Sequence, residues 1–309
     1  MLKIALIGGG KHSQESHAPA LARYAKDFPG KLELVAVCDL NHARADFVAK
    51  EFGFKKSYNN HHEMIRKEQL DGCVCVMPIP LIVPLAIELS ELGMPVSIEK
   101  PPGASIDEAY ELETVLKRTG TPHMISMNRR FQPLVREGRD WALAHGPARF
   151  VRACMLRHER TEKHFVSATG IHSVEVLRFF AGDVSSFESF IQQGGTLWHH
   201  HVLQFESDIL GVFDAMTTSG LTEEYYEIIG EGYSVQMWVE GSREPRLKCW
   251  LDGELLVDKK PDPEEPDFVR LGSYCETHEF ISALFEKRAM SPSMADILPS
   301  LELAYQMNS

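Results

Sequence analysis

The sequence carries no excess of basic charge. Its 32 lysines and arginines stand against 44 aspartates and glutamates, a formal net charge of −12 over 309 residues. Nucleic-acid binders ordinarily present a basic patch or stripe, so DNA, RNA and anionic lipid are not expected partners. An anionic cofactor is still admitted, because helix N-termini hold phosphates without charged side chains. No run approaches the roughly 18 apolar residues of a membrane span. The opening MLKIALIGGG has too short an apolar stretch for a signal peptide. The six cysteines (Cys38, Cys73, Cys75, Cys154, Cys249 and Cys275) form no CxxC pair. That spacing argues against zinc and redox motifs and leaves buried thiols in a reducing, cytoplasmic compartment as the expectation. Glycine and proline, at 22 and 17 residues, are near their average usage, which excludes collagenous and low-complexity chains.

What is present is an ordinary soluble composition, 44% hydrophobic and 25% charged, in a chain long enough for two domains of roughly 150 residues each. In the first part, short apolar runs alternate with helical stretches. Residues 3–7, 32–38, 72–77, 94–98 and 123–127 read as strands. The first four end on Gly8-Gly9-Gly10, Asp39, Pro78 and Glu99-Lys100-Pro101. Strands buried on both faces and separated by helices predict a parallel sheet with right-handed crossovers. Ligands of such sheets bind beyond the carboxyl ends of the strands, so these four segments converge on one crevice. After about residue 145 the texture changes to successive strands, several alternating apolar with polar. Gly194-Gly195, Gly230 to Gly232, Gly241 and Asp252-Gly253 punctuate them. One helix, residues 169–180, interrupts these strands, and two more, 274–286 and 294–307, follow them. The expected fold is an α/β Rossmann-type parallel-sheet domain over residues 1–125. An α+β domain with an open, mainly antiparallel sheet is expected over 126–309.

Gly8-Gly9-Gly10-Lys11-His12-Ser13 supplies the first two glycines of G-x-G-x-x-G and places Ser13 at the third. Serine there costs some helix–strand closeness without removing the phosphate turn. Gly8, Gly10, Lys11 and His12 are therefore candidate cofactor contacts. Asp39 ends the second strand, where a carboxylate hydrogen-bonds the adenosine ribose and repels a 2′-phosphate. NAD is expected in preference to NADP, unless Arg44 swings in and reverses that preference. Glu99-Lys100-Pro101 reads either as a surface ion pair with a turn, or as a lysine offered to a substrate hydroxyl. In the second reading proline restricts the lysine backbone. His199-His200-His201 lies in a strand, so neighbouring imidazoles point to opposite faces and cannot all hold one metal. No metal site is expected. Arg157, His158, Arg160 and His164 read equally as a substrate mouth or a solvated charged loop. Phe179-Phe180 reads as core.

Taken together, these motifs resemble the glucose–fructose oxidoreductase / inositol dehydrogenase (Gfo/Idh/MocA) family. The glycine turn with Asp39, the EKP triplet, Asn128-Arg129-Arg130-Phe131 and Gly170-Ile171-His172 carry the likeness along nearly the whole chain. The resemblance implies NAD(P)-dependent hydride transfer involving a sugar, cyclitol or polyol, and homo-oligomerisation through the C-terminal sheet. Carried over by position, Glu99 contacts the nicotinamide ribose, Lys100 holds the reacting hydroxyl and His172 is the general acid/base. Imidazole suits that last role because it titrates near neutrality. Pro78 and Lys100 join the cofactor contacts, and Asn128, Arg129, His158, His164 and Thr169 join Lys100 and His172 as substrate candidates. Three departures stand out. Ala168 and Glu175 replace frequent aspartates, and Ile82 lies near the place of a frequent histidine. The resemblance also admits an NAD-dependent glycoside hydrolase or lyase. Ala168 motivates a further alternative, a non-catalytic NAD- and sugar-sensing regulator.

Overall fold

The computed structural model describes residues 1–193, 196–241 and 244–308; the expected Gly194-Gly195 turn lies outside them. Two compact units make up the chain. One is residues 1–127 with 266–298, and the other is residues 128–265 with the segment from Pro299 onward.

The first unit is built on six parallel strands: β1 (Leu2–Ile7), β2 (Leu32–Cys38), β3 (Lys56–Tyr58), β4 (Gly72–Cys75), β5 (Val96–Glu99) and β6 (His123–Ser126). Their order is β3-β2-β1-β4-β5-β6. The order reverses between β1 and β4, where doubly wound sheets bind dinucleotides. The central strands are continuous apolar runs because helices cover both faces; Ile4, Leu6, Cys73, Val96 and Ile98 are fully buried. Each such aliphatic side chain contributes about 1.5–3 kcal/mol on burial. β3 has no apolar run to announce it, being three residues at the sheet edge, and the helix His61–Lys67 after it is equally short.

The crossover helices begin and end on local chemistry. The Asn41 and Ser105 side chains each accept from a backbone N–H three residues on, Arg44 and Glu108, at 3.3 Å. Gly53 and Gly120 then end the helices His42–Phe52 and Ile106–Thr119 in the left-handed region. The first crossover begins differently. Residues Ser13–His17 form a π turn ahead of the α-helix Ala18–Asp27, and no side chain caps it. The Ser13 hydroxyl instead donates to the Gly8 carbonyl at 2.5 Å.

Residues 266–298 complete this unit. The helix Ser273–Glu286 packs on Ala18–Asp27. Glu276 accepts from Ser126 at 2.9 Å, His123 Nε2 accepts from the Met294 N–H at 3.1 Å, and the Ile125 N–H donates to Pro292 at 2.8 Å. These contacts occupy the outer edge of β6.

The second unit holds eight strands: β7 (Ala148–Leu156), β8 (Val184–Gln193), β9 (Leu197–Phe205), β10 (Leu210–Met216), β11 (Glu223–Gly230), β12 (Tyr233–Gly241), β13 (Arg246–Leu251) and β14 (Glu254–Lys259). They form one sheet ordered β14-β13-β12-β11-β7-β10-β9-β8. Every pairing is antiparallel except β7 with β10. Alternation is clean in β12, where Tyr233, Val235, Met237 and Val239 are buried and the residues between them are half-exposed. The helix Pro133–Ala144 packs on that buried side so closely that a Cβ at Gly138 would lie 2.5 Å from Met237 Sδ. Phe179 and Phe180 are half-buried rather than core. The Arg130 and Arg139 guanidiniums cover the Phe179 ring at 4.7 and 4.1 Å, so cations, not apolar packing, shield it.

Candidate functional site

Strands β1, β2 and β4 lead into one groove of about 970 Å³ in the first unit. Gly8, Gly10, Lys11, His12, Asp39 and Pro78 all line it. Six residues singled out from sequence therefore share one cavity. At Gly8 φ is +96°, and a Cβ would sit 1.9 Å from the Val76 carbonyl oxygen. Only glycine satisfies both the dihedral and the space. At Gly10 the nearest atom to a Cβ would be Arg44 Nη1 at 3.9 Å, so the turn opens into the groove. The Asp39 carboxylate is oriented by two backbone donors, Gly9 N–H to Oδ2 and Asn41 N–H to Oδ1, both 2.8 Å. Arg44, which also lines the groove, brings Nε to 3.6 Å from Oδ1. A turn that demands glycine at Gly8 and opens at Gly10, beside a fixed carboxylate at the end of β2, fits the pyrophosphate and adenosine ribose of a dinucleotide.

Glu99 ends β5 and is buried, only 7% exposed. Its Oε2 lies 3.0 Å from His17 Nε2 and 3.5 Å from His12 Nε2. Burial alone would raise the carboxyl, but the two imidazoles hold it well below the ordinary carboxylate range, so it is ionised. Lys100 is half-buried and joins Pro101 through a cis peptide bond. His17 was not among the residues singled out from sequence; its one signal is a five-residue spacing from His12. His61 and His62 were also missed. They line the groove with Glu88, His61 Nε2 at 3.1 Å and His62 Nδ1 at 2.9 Å from its carboxylate. The unforeseen short helix that carries them hid both.

In the second unit, the π turn Val166–Gly170 leads into the helix Ile171–Ala181. His172 stands at its second position and is 7% exposed. The Thr169 hydroxyl accepts from Arg160 Nη2 at 2.9 Å. His158 and His164 are exposed, and Asn128 is half-buried at the start of the 3-10 turn Asn128–Phe131. Arg129 is committed elsewhere. Its buried guanidinium donates to Glu224 at 2.9 Å and also to Glu240. Arg157 donates to the same two carboxylates. Burial would raise the Glu224 carboxyl, yet the two guanidiniums hold it far below the ordinary range. The network ties β11 and β12 to the turn and to the end of β7. Arg130 pairs with Glu175 at 2.5 Å.

A doubly wound parallel sheet with a glycine cradle at its switch point and an aspartate after β2 defines a dinucleotide-binding unit. Residues 2–127 match the GFO_IDH_MocA model, described as an oxidoreductase family with an NAD-binding Rossmann fold. The parallel-sheet part of the chain is therefore similar to the NAD-binding domain of this oxidoreductase family. The chain is similar to D-apiose dehydrogenase of Paraburkholderia graminis, 29% identical over 195 residues covering 59% of this chain and 50% of that protein. It is also similar to inositol 2-dehydrogenase of Rubrobacter xylanophilus, 26% identical over 245 residues covering 74% of this chain and 68% of that protein. The match to the first thus spans half of that relative's length. In fold it is like a dehydrogenase from Chromobacterium violaceum, with TM-score 0.87 at 20% identity over 99% of this chain and 94% of that one. Among the described residues, no helix is long and apolar enough to cross a membrane.

Proposed function

We propose that the protein transfers hydride between NAD and a hydroxyl or ketone carbon of a sugar, cyclitol or related polyol. The observation that carries this reading is the groove of the first unit, with its glycine cradle at Gly8 and the backbone-fixed Asp39 carboxylate. The names of the D-apiose and inositol dehydrogenases support the substrate class. When bound, the dinucleotide supplies the hydride acceptor or donor. Gly8, Gly10, Lys11, His12, Asp39 and Pro78 hold it, and Glu99 takes the nicotinamide ribose. The cofactor is NAD rather than NADP because Asp39 repels a 2′-phosphate, and Arg44 is the residue placed to offset that repulsion.

Lys100 binds and polarises the substrate hydroxyl, and His172 takes or returns its proton. Asn128, Thr169, His158 and His164 complete the substrate side. The protein self-associates through the second sheet, whose residues Phe190 and Trp198 are 57% and 37% exposed. It works in a reducing, cytoplasmic setting, in keeping with the buried thiols of Cys38, Cys73, Cys75, Cys154 and Cys249.

Incubation with NAD and a panel of sugars and cyclitols, followed by NADH absorbance, tests the reading. Lys100→Ala and His172→Ala are expected to lower kcat by about 10²–10⁴, the contribution of a positioned acid–base group, with NADH binding left intact in His172→Ala. No reduction with any substrate, or full activity in Lys100→Ala, overturns it.

A further inference from the structure

Glu99 presents a problem that the glycine turn does not explain. A carboxylate taken out of water is strongly unfavourable unless paired and hydrogen-bonded. Among the described residues, its polar partners are two imidazoles and nothing else, His17 from the interior and His12 from the groove side. The two differ in kind. The His17 side chain is 5% exposed and the His12 side chain 51%. Both approach the same oxygen, Oε2, which leaves Oε1 without a protein donor among the described residues.

The route by which the chain brings two histidines to one oxygen is unusual. Residues five apart on an α-helix point about 140° away from each other. The π turn Ser13–His17 is wider, and π turns recur at functional sites. Here it returns His12 and His17 to the same side, their rings edge-to-face at 5.2 Å.

We infer that His17 is a positioning residue for the cofactor: it anchors Oε2 of Glu99 through its Nε2–H and so presents Oε1 to the nicotinamide ribose. The inference rests on the proposed role of Glu99. Without His17 the carboxylate would keep only the longer contact to His12 at the groove rim, and its orientation would no longer be set from within the unit.

The test is NADH binding to cofactor-free protein, followed by fluorescence, with thermal melting of every variant. Glu99→Gln and His17→Ala are each expected to raise Kd about tenfold or more, as for loss of one charge-assisted hydrogen bond. Their double variant is expected to be no worse than Glu99→Gln, because residues acting as a unit are non-additive. His17→Gln, whose Nε2 reaches nearly as far as the imidazole Nε2, restores binding; His17→Asn, which is too short, does not. The 15N–1H resonance of His17 Nε2 is expected to shift on NADH addition and to move upfield in Glu99→Gln. If Glu99→Gln weakens binding and His17→Ala lowers only the melting temperature, His17 is merely structural and the inference fails while the role of Glu99 survives. If Glu99→Gln leaves binding unchanged, both fall. Should His17→Ala not fold, the Gln and Asn pair decides, since equal Kd values in the two overturn the proposal.

Discussion

His201 shows how a single side chain links burial to pH. It is fully buried in β9, accepts or donates at 2.8 Å to Ser189, and lies between His199 and Phe213 at ring distances of 5.6 and 5.8 Å. Burial first, then the neighbouring imidazoles, push it down to about 4, and burial lowers His199 as well. A histidine depressed in the fold is neutral there, while the unfolded chain takes up a proton below about pH 6.5. Its contribution is therefore complete above pH 6.5 and is lost as pH falls from 6.5 to 4, on the order of 3 kcal/mol. Urea midpoints at pH 7, 5.5 and 4 should fall stepwise, and His201→Leu should flatten that slope. Equal midpoints would disprove the account. Residues at strand ends, such as Gly8, Asp39 and Glu99, are legible in the sequence because an apolar run and its abrupt stop mark them. His17 and Arg129 are not. Their partners Glu99 and Glu224 lie 82 and 95 residues away, and no local pattern records such a pairing. The family resemblance makes Arg129 a substrate contact, whereas its guanidinium lies in a buried ion network with Glu224 and Glu240.

Elements divide along the same line. Helices that carry their own start and stop signals in the sequence run from Asn41 to Gly53 and from Ser105 to Gly120. Ser105→Ala removes the acceptor for the Glu108 N–H and should cost about 1 kcal/mol. That corresponds to a fall of roughly 2–4 °C in Tm for a unit of this size, measurable by calorimetry. β3 and β14 escape a periodicity reading for a physical reason: edge strands bury little, so nothing selects an apolar alternation in them. The π turns Ser13–His17 and Val166–Gly170 escape it too, because one extra residue per turn leaves no mark on a pattern read at 3.6. The first carries His17, and the second immediately precedes the helix that bears His172 in its first turn.

At the scale of the molecule, residues 266–298 belong with a sheet whose last strand ends 140 residues earlier in the chain. A fragment of residues 1–127 lacks the Pro292 carbonyl, the Glu276 carboxylate and the Met294 N–H that meet Ile125, Ser126 and His123. It should show no cooperative melting transition and no NADH binding, and adding residues 266–309 in trans should restore at least part of both. A fragment that melts cooperatively by itself would refute this. The same arrangement bears on synthesis. A ribosome adds roughly 5–20 residues per second, so about ten seconds or more separate the emergence of β6 from that of the segment that covers its edge. Through that interval the nascent chain presents an unpaired strand edge, while residues 128–265, the greater part of the second unit, emerge. For this protein, the cofactor-binding unit is begun first and completed only after most of the other has been made.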